Sequence, residues 1–186
     1  MLKLSILPKA TETEPFSILP GKLQPDVLDK KEFVSFLPIY KPEHIYIAKA
    51  EFANTCLTAT FKTFEYPYSR IRIKHFTREH AIMFITQAAY VLAGELAKHG
   101  RLDGIDVKRY RRLIATEQAT FSRVTLNFKK VIRNRDGISL RIWCAKSKKV
   151  GAKVLVKMLF EFEEGECYGA CDGLIATDSS FFTANF

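Results

Sequence analysis

The stretch Thr77-Arg-Glu-His-Ala-Ile-Met-Phe-Ile-Thr-Gln-Ala-Ala-Tyr-Val-Leu-Ala-Gly-Glu-Leu-Ala-Lys-His-Gly100 decides the fold. Thr77 is a helix N-cap type, and Glu79 in the first turn suits the positive end of the helix dipole. Lys98 and His99 followed by Gly100 form a C-terminal stop. Between these signals, Ala81 to Ala93 is apolar on nearly every face. A helix of that kind must be buried all round rather than lie half-exposed. The run falls short of the roughly 20 residues that cross a bilayer, so a core helix is expected and no membrane span.

The flanking patterns are those of strands. His44 to Thr55 and Cys56 to Glu65 read as two strands, the second alternating Leu57, Ala59 and Phe61 with Thr58, Thr60 and Lys62. Pro67 breaks the pattern, and Ser69 to Lys74 alternates again. After the helix comes a charged connection with a helical turn at Ile105 to Tyr110. Leu113 to Phe121 and Arg123 to Ile132 read as one long or bulged strand. Asn134-Arg-Asp-Gly137 reads as a hairpin turn. Ile138 to Lys146, Lys153 to Glu163 and Glu166 to Thr177 complete an antiparallel meander, turning near Gly151 and Gly165. One apolar helix has only the sheet to cover it. The expected class is therefore α+β with the hot-dog fold, an antiparallel sheet wrapped around one long buried central helix. A six-stranded sheet of this kind keeps open edges, which favours edge pairing in a homodimer or higher homo-oligomer.

Composition bounds the rest. The chain has 186 residues, 47% of them hydrophobic, which suits one domain and excludes a disordered chain. All seven prolines lie at or before position 67, and eight of nine glycines lie after 93. The expected division is a Pro-rich N-terminal wrap over 1–42, a hot-dog domain over 43–178 and a tail over 179–186. Cys56, Cys144, Cys167 and Cys171 lack metal-site spacing and read as small buried hydrophobes in a reducing compartment. No metal site is expected. The N-terminus MLKLSILPKATETEP is unlike a signal peptide, and a cytoplasmic location is expected.

His75-Phe76, between a strand and the central helix, resembles the hot-dog family of acyl-thioester enzymes, and most of all the FcoT-like fatty-acyl-CoA thioesterase group. Members of that group are described as long-chain acyl-CoA thioesterases, others as adding glycine across a 2-enoyl acyl-carrier-protein thioester. Val107-Lys-Arg-Tyr110 and Thr120-Phe-Ser-Arg-Val-Thr-Leu-Asn-Phe-Lys-Lys130 are similar to its post-helix segment, and the likeness covers roughly Tyr40 to Thr177. The resemblance implies site roles for Gln87 and the nearby Tyr90, which match, and for Thr77 and Thr86, which stand where the group has Asn. It also implies Tyr68, one residue out of register, and Tyr40. A hydroxyl has a shorter reach and fewer bonds than an amide, so the two threonines change the reaction or remove it.

The residues make a case of their own. Thioester hydrolysis needs a stabilised oxyanion and a positioned water. A helix N-terminus offers unpaired N–H donors, here over Phe76 to Glu79. Thr86 and Gln87 are the polar groups of the apolar helix centre, and each needs a partner, since an unpaired one costs about 1–3 kcal/mol. Either they orient water, or Gln87 bonds strand backbone and Thr86 bonds the preceding turn. His75 is a general base or a structural residue. No acid lies at Gln87 to Tyr90 to pair with it as in hot-dog dehydratases. Glu79 complements the dipole or acts as general base, and His80 is equally open. His44 and His99 receive no role.

Charge is the last signal. The formal net charge is +9, and 101–136 carries ten Lys/Arg against four acids, whereas 161–172 carries five acids and no Lys or Arg. The expected anions are the phosphates of coenzyme A or the acidic helix of an acyl-carrier protein, met by Arg123, Lys129 and Lys130. An ordinary solvated basic face explains the same residues. The expected activity is a thioester hydrolase acting on long-chain fatty acyl-CoA or acyl-carrier protein. Coenzyme A or phosphopantetheine would enter as part of the substrate, with no separate cofactor. The alternatives are conjugate addition to or dehydration of an acyl-carrier-protein thioester, and a non-catalytic acyl-ligand binding module. Aromatics interleave with basic residues in Lys108 to Arg112 and Phe128 to Arg135, but strand alternation accounts for them, and no nucleic-acid partner is expected.

Overall fold

The structure is a computed structural model that describes residues 24–177 except 67, 68 and 71; at 122 it describes the backbone alone. Its centre is helix α2, Arg78–Lys98, 21 residues, of which fifteen are buried. By length and composition α2 is long enough to cross a bilayer, more than the run Ala81–Ala93 implies, yet 83% of its most apolar window lies inside the protein. The apolar circumference is therefore accounted for by the core.

The cover is one antiparallel sheet of seven strands. These are β1 (Asp26–Val27), β2 (Ile47–Ala53), β3 (Cys56–Phe61), β4 (Ala119–Phe128), β5 (Ile138–Val150), β6 (Lys153–Phe162) and β7 (Cys167–Ala176), in the order β1-β2-β3-β5-β6-β7-β4. On β6, Val154, Val156, Met158, Phe160 and Phe162 alternate inward and are buried. Phe84 of α2 stacks on Phe61 of β3 at 4.2 Å between ring centroids. This is the hot-dog fold.

Two short helices close what the sheet leaves open. Helix α1 (Lys30–Val34) is capped by Asp29, whose carboxylate accepts from the Lys31 N–H. Phe33, Phe36 and Leu37 in and after it are buried. The described part of the N-terminal segment thus contributes a strand pair and core aromatics. Helix α3 (Val107–Ala115), capped by Asp106, buries Tyr110, Leu113 and Ile114, and the Tyr110 hydroxyl donates to Tyr90 O at 2.8 Å.

Several sequence expectations give way here. The strand expected from Leu113 is helix as far as Ala115, because Tyr110, Leu113 and Ile114 share one helical face. Left-handed Glu117 then turns the chain into β4, which starts at Ala119, bulges between Phe121 and Arg123 and ends at Phe128 rather than Ile132. Asn134–Gly137 does not close a hairpin. β4 pairs with β7 and β5 with β3 and β6, so the segment is a crossover in which the Gly137 N–H reaches Phe61 O. Ser69–Lys74 forms no strand among its described residues, because its neighbour offers one bridge, His75 to Arg133, and two bonds from Asn134. β2 begins at Ile47 because Pro42–His44 winds a 3-10 turn; β3 ends at Phe61, and β5 runs four residues beyond Lys146. Residues 1–23 and the tail 179–186 lie outside the described residues.

The cysteines are free, Cys167 and Cys171 buried, Cys56 and Cys144 half-buried. Burial pushes the Cys167 thiol up to about 11 and Cys171 to about 12, so neither is a reactive thiolate at neutral pH.

Gly94 of α2 faces α1 so closely that an added Cβ would stand 2.4 Å from the buried Phe36 ring. Gly94→Ala is expected to lower unfolding free energy by about 1–3 kcal/mol through overpacking, despite the better helix propensity of alanine. Urea denaturation checks this; an unchanged or raised midpoint would show that α1 is loosely docked.

Candidate active site

The start of α2 is built by a reciprocal cap. The Thr77 N–H donates to His80 Nδ1 at 3.2 Å, and the His80 N–H donates to Thr77 Oγ1 at 3.4 Å. Histidine thus takes the place that Glu or Gln holds in an ordinary capping box. Its ring is fully buried, with Nε2 3.3 Å from Phe64 O. A carbonyl only accepts, so Nε2 carries the proton and Nδ1 is the acceptor. The Tyr66 hydroxyl lies 2.8 Å from Thr77 Oγ1 and 3.1 Å from His80 Nδ1. Burial lowers the His80 pKa, with the bond to Phe64 O opposing.

The box occupies the N–H groups of Thr77 and His80. It leaves those of Arg78 and Glu79, both on exposed residues, outside it, and the Glu79 N–H is met by its own side-chain carboxylate. The Thr77 hydroxyl holds the exposed Glu79 carboxyl below its usual range, so it is an anion at neutral pH. Beside this turn is a hollow of about 360 Å³ lined by His75, Phe76, Arg78, Phe128, Lys129, Lys130 and Val131. Its apolar wall includes two strongly exposed side chains, Phe128 at 43% and Val131 at 82%. Lys129 lies over the Tyr168 ring at 4.7 Å, and Lys130 Nζ is 3.7 Å from Glu166 Oε1. The acids of 161–172 reach back to the basic stretch in this way, with Arg135 on Glu163 at 3.0 Å, while Glu161 pairs with Arg141 of β5 at 3.0 Å. The site can seat an anion against an apolar wall, next to two N–H donors and a carboxylate.

The sequence candidates divide. His75, Glu79, Thr77, Lys129 and Lys130 come together at this end of α2. Gln87 does not: fully buried, it accepts from the Tyr46 N–H at 2.9 Å and donates to His44 O at 2.6 Å. It ties the chain before β2 to the helix. Thr86 donates to Ile82 O at 2.7 Å, a bond within its own helix. These are the structural alternatives that the sequence left open. Tyr40 is half-buried, and burial together with nearby Tyr90 raises its phenol pKa. Tyr90 itself donates to Ala119 O at 3.1 Å. Arg123 is exposed on β4 in register with Asp172, outside the hollow's lining. Tyr68 lies outside the described residues. Tyr66 holds the tyrosine position beside the helix cap. Arg78, Phe128 and Val131 are further lining residues that sequence reading missed.

No protein-family model matches the chain, and no curated protein matches it. Its fold does match solved structures. A dehydratase heterocomplex from Xenorhabdus doucetiae is similar at 9% identity and a TM-score of 0.51, over 82% of this chain and 95% of that one. A hypothetical thioesterase protein with coenzyme A from Streptococcus pneumoniae is similar at 11% identity and a TM-score of 0.45, over 79% and 95%. A thioesterase from Pseudomonas aeruginosa follows at 9% identity and 0.40, over 69% and 80%. At 9% identity the likeness to the Xenorhabdus structure speaks for the fold alone.

The cap makes acid stability a test of this geometry. The unfolded chain takes up the imidazole proton near pH 6.5, while the buried ring resists it, so the stabilisation is complete above that pH and lost as pH falls. Wild type should lose stability relative to His80→Gln, which keeps a capping-box residue, with a slope approaching at most about 1.4 kcal/mol per pH unit below 6.5. Denaturation midpoints between neutral pH and pH 5 read the difference. Parallel curves would mean that the ring protonates in place.

Proposed function

We propose that this protein acts on acyl thioesters of long-chain fatty acids carried by coenzyme A or an acyl-carrier protein, as a thioester hydrolase. The observation that carries the reading is the basic, apolar-walled hollow against the first turn of α2 in a hot-dog fold. Arg78, Lys129 and Lys130 would meet the phosphates of the carrier arm, and Phe76, Phe128 and Val131 its apolar part. The Arg78 N–H, joined by the Glu79 N–H once the Glu79 carboxylate turns from it to water, would hold the carbonyl oxygen as it becomes an oxyanion. Glu79, ionised at neutral pH, would take a proton from water as that water adds to the carbonyl carbon. Collapse of the adduct breaks the C–S bond, and the proton held by Glu79 passes to the leaving sulfur, which yields a carboxylic acid, a free thiol and the Glu79 carboxylate again. The likeness of His75-Phe76 to the FcoT-like group supports the same class.

Among the described residues, β4 ends the sheet with ten residues that pair on one side alone. A second copy pairing along it would remove the edge and bring its own residues beside Phe128, as a homodimer.

A second reading has an observation in its favour. Gln87 and Thr86 both make backbone bonds that account for them without a bound water. A module that binds acyl thioesters without cleaving them fits that fact. One assay separates the two: thiol release from acyl-CoAs of graded length, alongside their equilibrium binding. The hydrolase reading expects release, a fall in kcat of about a hundred-fold or more for Glu79→Gln, and a raised KM for Arg78→Gln/Lys129→Gln. Binding without release, unchanged in Glu79→Gln, establishes the second reading; neither binding nor release overturns both.

A further inference from the structure

The net positive charge has a second concentration, away from the acyl site. Between Gly137 and Phe160 the chain carries six Lys/Arg and no acid. Arg141 is paired with Glu161; Lys146, Lys148, Lys149, Lys153 and Lys157 stand on the outer half of the β5–β6 hairpin. Register places Lys146 opposite Lys157, which has Asp172 on its other side, so the charge left without an acid in register lies further out, towards Lys148 and Lys149. Strand alternation sends Lys148 and Lys149, both exposed, to opposite faces. At the tip, Val150 is 48% exposed and is followed by the exposed pair Gly151 and Ala152; Leu155 is 44% exposed.

The tip is joined to the basic helix α3. The Thr177 N–H donates to Ala152 O at 2.7 Å, and the Arg109 guanidinium donates to Thr177 O. The outward side of α3 exposes Lys108, Arg111 and Arg112. The Lys149 N–H donates to Asp103 Oδ2 at 3.2 Å, which fixes the tip beside the loop that follows α2. Basic residues far apart in the chain are thus gathered at the end of the fold where α2 finishes, the other end from the hollow.

The apolar component selects the anion. The exposed apolar side chains of the hairpin are aliphatic and project at its tip, with lysines around them. Single-stranded nucleic acid is held by aromatic stacking platforms, and the exposed large aromatics among the described residues, Phe128 and Tyr168, belong to the hollow's side. An aliphatic tip ringed by lysines fits the headgroup layer of an anionic bilayer, where apolar side chains enter and cations meet phosphates.

We propose that the β5–β6 tip and α3 dock this protein on an anionic phospholipid surface, with Val150 to Ala152 entering the headgroup layer. Docked so, the hollow at the start of α2 faces water. The proposal is independent of the reaction performed there.

Vesicle flotation tests it, with phosphatidylcholine vesicles against vesicles one-third phosphatidylglycerol. Binding to the anionic vesicles and not to the neutral ones is expected, weakening as salt rises. Each lysine removed should weaken it about five-fold, so Lys148→Gln/Lys149→Gln falls about 25-fold, and Lys108→Gln/Arg112→Gln behaves alike. Val150→Ser should weaken binding several-fold without changing the salt dependence. Coincident thermal melts establish that the variants, all at exposed side chains, are folded. Equal binding to neutral vesicles, binding to neither, or transfer RNA binding more tightly than vesicles with Val150→Ser without effect would each overturn the proposal.

Discussion

An apolar helix buried on every side from Gln87 to Ala97 sets the terms for everything else in this molecule. Fifteen of the 21 residues of α2 are buried, and they run around its whole circumference. Each large side chain withdrawn from water contributes about 1.5–3 kcal/mol, so no arrangement leaving one side of α2 wet competes. A single sheet cannot enclose a helix completely, and α1 and α3 complete the cover. Gly94 lets Phe36 sit against the helix axis, and Tyr110 closes on the backbone of Tyr90. Polar groups on such a helix must be satisfied inside it. Gln87 meets this by clasping both the carbonyl of His44 and the N–H of Tyr46. Glu95 is buried with Lys98 and His99 at 3.5 and 3.6 Å, and burial raises its pKa.

The same constraint locates the chemistry. With its flanks sealed, α2 meets solvent near its ends. At its start the cap uses Thr77, His80 and Tyr66 and leaves exposed Arg78 and Glu79 at the rim. Phe76 beneath them packs on Phe162 at 5.0 Å, and residues 128–131 form the opposite wall. At its finish the loop through Asp103 fixes the β5–β6 tip. Basic side chains thus gather at both ends of the helix.

How far the sequence carried depends on whether a signal was local. The helix Thr77 to Gly100, the inward alternation on β3 and the meander β5–β6–β7 are written in neighbouring residues and were readable. Helix α3 was misread as strand from Leu113 because Leu113 and Ile114 are also good strand residues; their partner Tyr110 lies one turn back. The crossover at Asn134–Gly137 carries the Asp-Gly mark of a hairpin, and only the distant pairing of β4 with β7 rules one out. In the site, His75, Thr77 and Glu79 were legible from the helix start. Gln87 drew attention as the polar residue of an apolar helix, but its bonds to the chain before β2 depend on residues some 40 positions away. Arg78, Phe128 and Val131 were missed because their shared hollow arises from a contact between segments more than 50 positions apart.

The central claim is that the first turn of α2 receives the thioester. A crystal structure with a non-hydrolysable thioether analogue of a long-chain acyl-CoA tests it most directly. The account predicts the analogue's sulfur beside the Arg78 and Glu79 N–H groups, with phosphates against Arg78, Lys129 and Lys130. An analogue seated anywhere else on the fold, its sulfur away from that turn, would contradict it.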